Sequence, residues 1–201
     1  MKHIIFAIAL LLMLGGCATP DGSGKNDPPT DDDEPENPYD PAVNWADCDG
    51  EEGNHPCNIL SFDHNGDPFD LYMFYGQPIV VDLSAMWCGP CKNAAAHAQG
   101  VQDLYAGDDL VYITVLVENL DREPPLLDDI QAWATTYGNT TSPVVAGERA
   151  MLESSGTGTW KVEGWPTFYY IDRNMITRDV DRGYSATEVG FSIDWLLTLE
   201  N

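Results

Sequence analysis

Positive charge is scarce in this chain. Nine Lys and Arg stand against 33 Asp and Glu in 201 residues, a formal net charge of −24. That balance repels phosphate instead of neutralising it, so it excludes nucleic-acid partners and charge-driven binding to anionic lipid. A long hydrophobic run is missing too, because the stretch from Ile4 to Leu14 is shorter than the roughly 20 residues a bilayer-spanning helix needs. What is present suffices for one packed domain with tails: 43% hydrophobic residues, 10% of the chain aromatic, and a length typical of one domain.

At the N-terminus, Lys2, the apolar run and then Leu14-Gly15-Gly16-Cys17 follow the order of an export signal. A Cys directly after Leu-Gly-Gly resembles the bacterial lipobox, in which the signal is cut before the Cys and the thiol carries a diacylglycerol. That resemblance implies a signal peptide over 1–16, lipidation of Cys17 and attachment to the membrane through lipid. Ala18 in place of Asp favours the outer membrane. From Thr19 to Asn44 aliphatic residues are almost absent, and Pro, Gly, Asn, Asp and Glu dominate. Such a segment cannot bury enough apolar surface to offset its ordering entropy, so 17–44 reads as an acidic, disordered tether spanning on the order of 25 to 30 Å. The folded domain is expected over 45–201.

Within that domain, Asn58 to Leu71 alternates apolar and polar residues on both sides of Asn65-Gly66, a hairpin signal. Asp63, Asn65 and Asp67 mimic the start of a calcium loop, but the Gly falls at the wrong position and no Glu closes it. Pro78 to Ser84 and Leu110 to Val117 read as buried strands. Thr167 to Asp172 and Thr177 to Val180 read as a strand pair around an Arg173-Asn174 turn. Helical spacing marks Lys92 to Tyr105, Asp128 to Tyr137 and Ala186 to Leu199. Strands alternating with helices predict an α/β sandwich with a central mixed sheet.

The segment that carries chemistry is Trp87-Cys88-Gly89-Pro90-Cys91-Lys92, a C-x-x-C between a strand and a helix. Free N–H groups and the positive helix end stabilise a thiolate on the first Cys, and two intervening residues bring the second thiol within reach of a mixed disulfide. Cys88 is therefore expected as an exposed nucleophile and Cys91 as the more buried resolving thiol. Half of a zinc site is the competing reading. It needs two more ligands from His97, His55, His64, Cys48 and Cys57, and no metal is expected.

Val80 to Lys92 resembles the active-site segment of the thioredoxins over most of its length, and Asn58 to Asn201 resembles the extracytoplasmic TlpA/ResA-type thiol-disulfide oxidoreductases. The resemblance implies a thioredoxin-like three-layer sandwich with an N-terminal β-hairpin and an insertion over Leu126 to Lys161, and it calls for no cofactor. It also implies that Asp82 relays a proton to or from Cys91. The Lys usually near that carboxylate is not found in Tyr112 to Val117. Gly164-Trp165-Pro166-Thr167-Phe168 resembles the family's cis-Pro loop, with Pro166 cis, and Trp165 departs from the small or β-branched residue common there. Trp87, Gly89, Pro90, Trp165 and Pro166 are the expected substrate-binding residues. With Cys17 lipidated and Cys88 paired with Cys91, a structural disulfide between Cys48 and Cys57 is the default in an oxidising compartment, and a second redox couple exchanging with Cys88 is the alternative.

The expected activity is reduction of disulfides in exported client proteins, because Gly-Pro is the dipeptide of the reductant thioredoxin. The expected partners are thiol- or disulfide-bearing clients and a membrane thiol electron donor, at the cell envelope and facing the periplasm or the exterior. Competing readings are a disulfide-donating oxidase, a redoxin-type peroxidase and a copper metallochaperone.

Overall fold

The computed structural model describes residues 45, 47–155 and 158–199. The export signal, Cys17 and the acidic tether expected over 1–44 lie outside the described residues.

The hairpin consists of β1 (Leu60–Phe62) and β2 (Pro68–Asp70), paired antiparallel. Its turn explains the acidic residues that mimic a calcium loop. Asp63 Oδ1 accepts the backbone N–H of Asn65 at 2.8 Å and of Asp67 at 3.0 Å, while Gly66 takes φ +87°. The carboxylate is thus engaged in closing its own turn.

The main sheet contains β3 (Ile79–Ala85), β4 (Val111–Glu118), β5 (Val144–Ala146), β6 (Thr167–Ile171) and β7 (Thr177–Arg182) in the spatial order β5-β4-β3-β6-β7. Strands β5, β4 and β3 run parallel, and β6 and β7 pair antiparallel. The helices are α1 (Gly89–Leu104), α2 (Leu127–Tyr137) and α3 (Ala186–Thr198). Helix α1 starts three residues before the helical run at Lys92, because Pro90 lacks the N–H that a first helical turn leaves unpaired and Cys88 caps that turn. Strand β5, three residues long, is too short to show a period in the sequence.

Register divides the sheet into two faces. Val80 lies opposite Tyr112 and Tyr170, Asp82 opposite Thr114 and Phe168, and Ser84 opposite Leu116, so these side chains share one face. All three helices cover it: Ala94 and Ala98 of α1 with Val189, Ile193 and Leu196 of α3 at one end, Ile130, Trp133 and Ala134 of α2 at the other. The opposite face, with Val81, Leu83, Ile113, Val115 and Tyr169, is covered by Phe69 of the hairpin, by Leu71 in the 3-10 turn that follows it, and by Leu152 and Trp160 from the segment between β5 and β6. That segment forms short 3-10 turns at Arg149–Met151 and Glu153–Ser155. The third layer is therefore a hairpin and turns.

A disulfide joins Cys48 to Cys57. The loop it closes is tied to the start of β7, since Gly53 donates to the Thr177 carbonyl at 2.8 Å and Thr177 donates to that of Asn54 at 2.9 Å. His55 is held by the Met175 carbonyl at 2.7 Å and stacks on Trp45 at 3.9 Å.

Trp160 carries much of the thin layer, buried to 2% exposure and edge-on to Tyr169 at 4.8 Å. Trp160→Ala is expected to cost about 3–5 kcal/mol in urea unfolding with an unchanged m value. A loss below about 1 kcal/mol would separate this layer from the cooperative core.

Candidate active site

The site forms where β3 ends. Between Ser84 and Ala85 the pairing with β4 shifts by one residue, and Ala85 comes to lie opposite Glu118. The Met86 amide then donates to the Glu118 carbonyl at 2.9 Å and the Cys88 amide to that of Ala85 at 3.1 Å, turning the chain out of the sheet and into α1. Cys88 occupies the cap position with extended backbone, φ −79° and ψ 122°, and its Sγ accepts the Cys91 N–H at 3.2 Å. One of the amides left unpaired at the start of the helix is thereby aimed at the first sulfur. Cys88 and Cys91 are joined as a disulfide. Gly89 and Pro90 are exposed between them.

Cys88 itself is only 4% exposed and Cys91 fully buried, so the first sulfur is less open than the sequence suggests. The cover is aromatic. Trp87 and Trp165 both pack on the cluster that holds the two cysteines, their rings 6.2 Å apart and nearly perpendicular at 74°. Trp165 precedes Pro166 through a cis peptide bond. The loop around them is closed by Gly183 donating to the Pro166 carbonyl at 2.8 Å and by the Thr167 hydroxyl donating to that of Gly164 at 2.7 Å.

Trp87 is oriented by a carboxylate that sequence reasoning missed. Its indole N–H donates to Glu118 Oε2 at 2.6 Å, and Glu118, 1% exposed, also pairs with Arg149 through its other oxygen. Burial alone pushes the Glu118 carboxyl up, but the bonds from Arg149 and Trp87 and the positive charges of Arg149 and Arg122 outweigh it and leave the pKa below the ordinary range. Arg122 lies over the Trp87 ring, its guanidinium carbon 4.2 Å from the ring centre. A signal existed in the sequence: Glu118 is the ionisable residue ending an otherwise apolar parallel strand, and sites in open α/β sheets gather at such C-terminal ends.

Asp82 sits beneath the helices in the middle of β3 with no exposed surface. In place of a lysine, two hydroxyls hold it. Ser84 donates to Oδ1 at 2.6 Å and Tyr112 to Oδ2 at 3.1 Å. Burial raises the Asp82 pKa to about 7, against the lowering effect of those two bonds. The Tyr112 phenol, buried beside that carboxyl, is raised well above its ordinary value.

The described histidines serve local structure. His64 accepts the Val144 amide at 3.1 Å and His97 pairs with the Asn93 carbonyl within α1 at 2.8 Å. Among the described residues, no group of three His, Cys, Asp or Glu side chains is arranged to hold a metal ion.

No family model matches the chain. It is 23% identical over 119 residues to the thioredoxin-like protein YneN of Bacillus subtilis, a match covering 59% of this chain and 64% of that protein's length. Among solved structures it resembles a thioredoxin-family thiol:disulfide interchange protein of Chlorobium tepidum, with a TM-score of 0.56 and 21% identity over 70% of this chain and 93% of the other. It also resembles the exposed lipoprotein thioredoxin of Streptococcus pneumoniae, with a TM-score of 0.54 and 22% identity over 71% of this chain and 98% of the other. The chain has the thioredoxin fold.

The Asp82 environment sets a pH dependence. A carboxyl raised from 3.8 to about 7 on folding binds its proton more tightly in the folded state, so its contribution to stability is complete below pH 4 and is lost as pH rises to 7. The stability of Asp82→Asn minus that of the wild type is therefore expected to increase between pH 4 and pH 7 by a few kcal/mol, in urea unfolding of the disulfide form. A constant difference across that range would show that Asp82 ionises normally.

Proposed function

We propose that this chain is a membrane-tethered thiol-disulfide oxidoreductase that reduces disulfides in exported client proteins. The observation that carries the reading is the placement of Cys88 as the cap of α1, with its sulfur accepting the Cys91 N–H. In the dithiol form that position lowers the Cys88 pKa and supplies a thiolate near neutral pH. The thiolate attacks one sulfur of a client disulfide, and the other client sulfur leaves as a thiolate. Cys91, losing its proton to Asp82, then attacks the Cys88 sulfur and releases the second client thiolate. Two electrons pass to the client, the leaving thiolates take up protons, and the protein ends as the Cys88–Cys91 disulfide. A membrane dithiol donor returns it to the reduced form.

The hydroxyl-bound, buried Asp82 suits the relay because its carboxyl exchanges a proton near pH 7. Trp87, Gly89, Pro90, Trp165 and Pro166 form the surface offered to the client. The Cys48–Cys57 disulfide is structural. Residues 1–16 act as the export signal, Cys17 carries the lipid, 17–44 form the tether and 45–201 the working domain at the cell envelope. The exposed lipoprotein thioredoxin among the similar structures supports that placement.

The deciding experiment uses the purified chain with a disulfide-bearing model protein. Cys91→Ser should accumulate a mixed disulfide through Cys88, and Cys88→Ser should form none. Asp82→Asn should capture the client normally but release it at least tenfold more slowly. A potential near thioredoxin's, about −270 mV, fits a reductase, whereas one near about −120 mV would reverse the direction of electron flow. Absence of any mixed disulfide with Cys91→Ser would refute the oxidoreductase reading.

A further inference from the structure

Almost every cation described in this acidic chain is already paired. Arg149 is engaged by Glu118, Lys161 by Glu51, Arg173 by Asp109, Arg178 by Asp172 and Arg182 by Glu163. Among the described residues, only Lys92 and Arg122 have no carboxylate within ion-pair distance, and both are exposed. Lys92 follows Cys91 directly, and Arg122 lies over the ring of the residue before Cys88. In a chain carrying 33 acidic residues, the two described cations without an ion-pair partner lie at the two sides of the C-x-x-C segment, one next to Cys91 in sequence and one over Trp87.

Arg122 is built into that position. Its backbone takes φ +65°, the left-handed region that only Gly enters without strain. Asn119 holds the turn, accepting the amides of Asp121 at 2.9 Å and Glu123 at 3.1 Å on its side-chain oxygen and the Arg122 amide at 3.2 Å on its carbonyl. The Asn119 side chain in turn donates to Asp129 of α2 at 3.3 Å. The flanking acids Asp121 and Glu123 leave the guanidinium unpaired. Trp87 beneath it is fixed from the other end by Glu118, whose charge Arg149 compensates.

A guanidinium lying over an indole keeps its in-plane N–H groups free for a carboxylate fork, and a cation held in place loses little entropy when it binds. We infer that Arg122 is the specificity-determining residue of this site and that it selects polypeptide clients bearing an Asp or Glu beside the reacting cysteine. The inference rests on the oxidoreductase reading and adds the chemistry of the client to it. Lys92 is a second exposed positive charge, on the helix.

The test uses the pre-reduced full chain and three disulfide-bonded peptides that differ only in the residue after the cysteine: Glu, Gln or Lys. The second-order rate of a single turnover is measured for the wild type, Arg122→Gln and Arg122→Lys. The wild type should reduce the Glu peptide about tenfold faster than the Gln peptide and the Lys peptide more slowly still, with the spread narrowing at high salt. Arg122→Gln should bring the three rates together, and Arg122→Lys should keep part of the preference.

Equal rates for the Glu and Gln peptides in the wild type would overturn the inference. So would an Arg122→Gln variant that slows all three peptides by one common factor, because that assigns Arg122 to the Cys88 thiolate or to the Trp87 cover. In either case turnover of the Gln peptide leaves the oxidoreductase reading standing. A wild type that reduces none of the three removes both.

Discussion

Seven consecutive residues of β3 are sealed from water on both faces, which is tolerable only because β4 and β6 pair with the strand on either side. That burial fixes the rest. The even positions Val80, Asp82 and Ser84 must face the helices and the odd positions the hairpin layer, so one register decides that Asp82 lies under α1. The one-residue shift after Ser84 then ends the ladder and turns the chain into the helix whose cap is Cys88. A slip of one residue in β3 would place Asp82 among Ile113, Val115 and Tyr169 and leave it without its hydroxyl partners.

Two buried carboxylates stand on neighbouring strands of the sheet, Asp82 on β3 and Glu118 on β4, and the fold treats them in opposite ways. Asp82 meets only hydroxyls, which ease the desolvation of a charge without cancelling it, so its carboxyl holds a proton up to about pH 7. Glu118 meets an arginine and an indole N–H, so it stays ionised and serves as a fixed acceptor. In the proposed mechanism one must exchange a proton and the other must keep a ring in place. Exchanging their partners would spoil both roles: a guanidinium beside Asp82 would hold it permanently charged, and hydroxyls alone at Glu118 would allow it to protonate and loosen Trp87.

Much of this was legible in the sequence because the strongest signals are local. The β-branched run of β3, the C-x-x-C before a helical stretch, the Asn-Gly turn and the apolar spacing of α2 and α3 each appear within a dozen residues. What escaped depends on contacts distant in sequence. Strand β5 owes its existence to pairing with β4. The third layer is made of short turns whose apolar residues, Leu152 and Trp160, have no period. Tyr112 in place of a lysine partner for Asp82 is separated from it by 30 residues, and Glu118 from Trp87 by 31. The packing of Trp165 on the cluster that holds Cys88 is likewise non-local, brought about by the loop before β6, which sets it beside Trp87.

The net charge of −24 and the unpaired Arg122 act over different distances. At physiological ionic strength charges are screened beyond about 8 Å, so the acidic surface affects how a client approaches, and more strongly in dilute salt. At contact the relevant field is that of the nearest groups, and beside Trp87 these are a guanidinium without a partner and a carboxylate already neutralised by Arg149. A client could therefore be basic overall and still need an acidic residue next to its cysteine. In the proposed reading encounter and selection are separate: the long-range field sets how often clients arrive, and the exposed guanidinium over the Trp87 ring, which makes no ion pair, sets which of them remain long enough for sulfur to exchange.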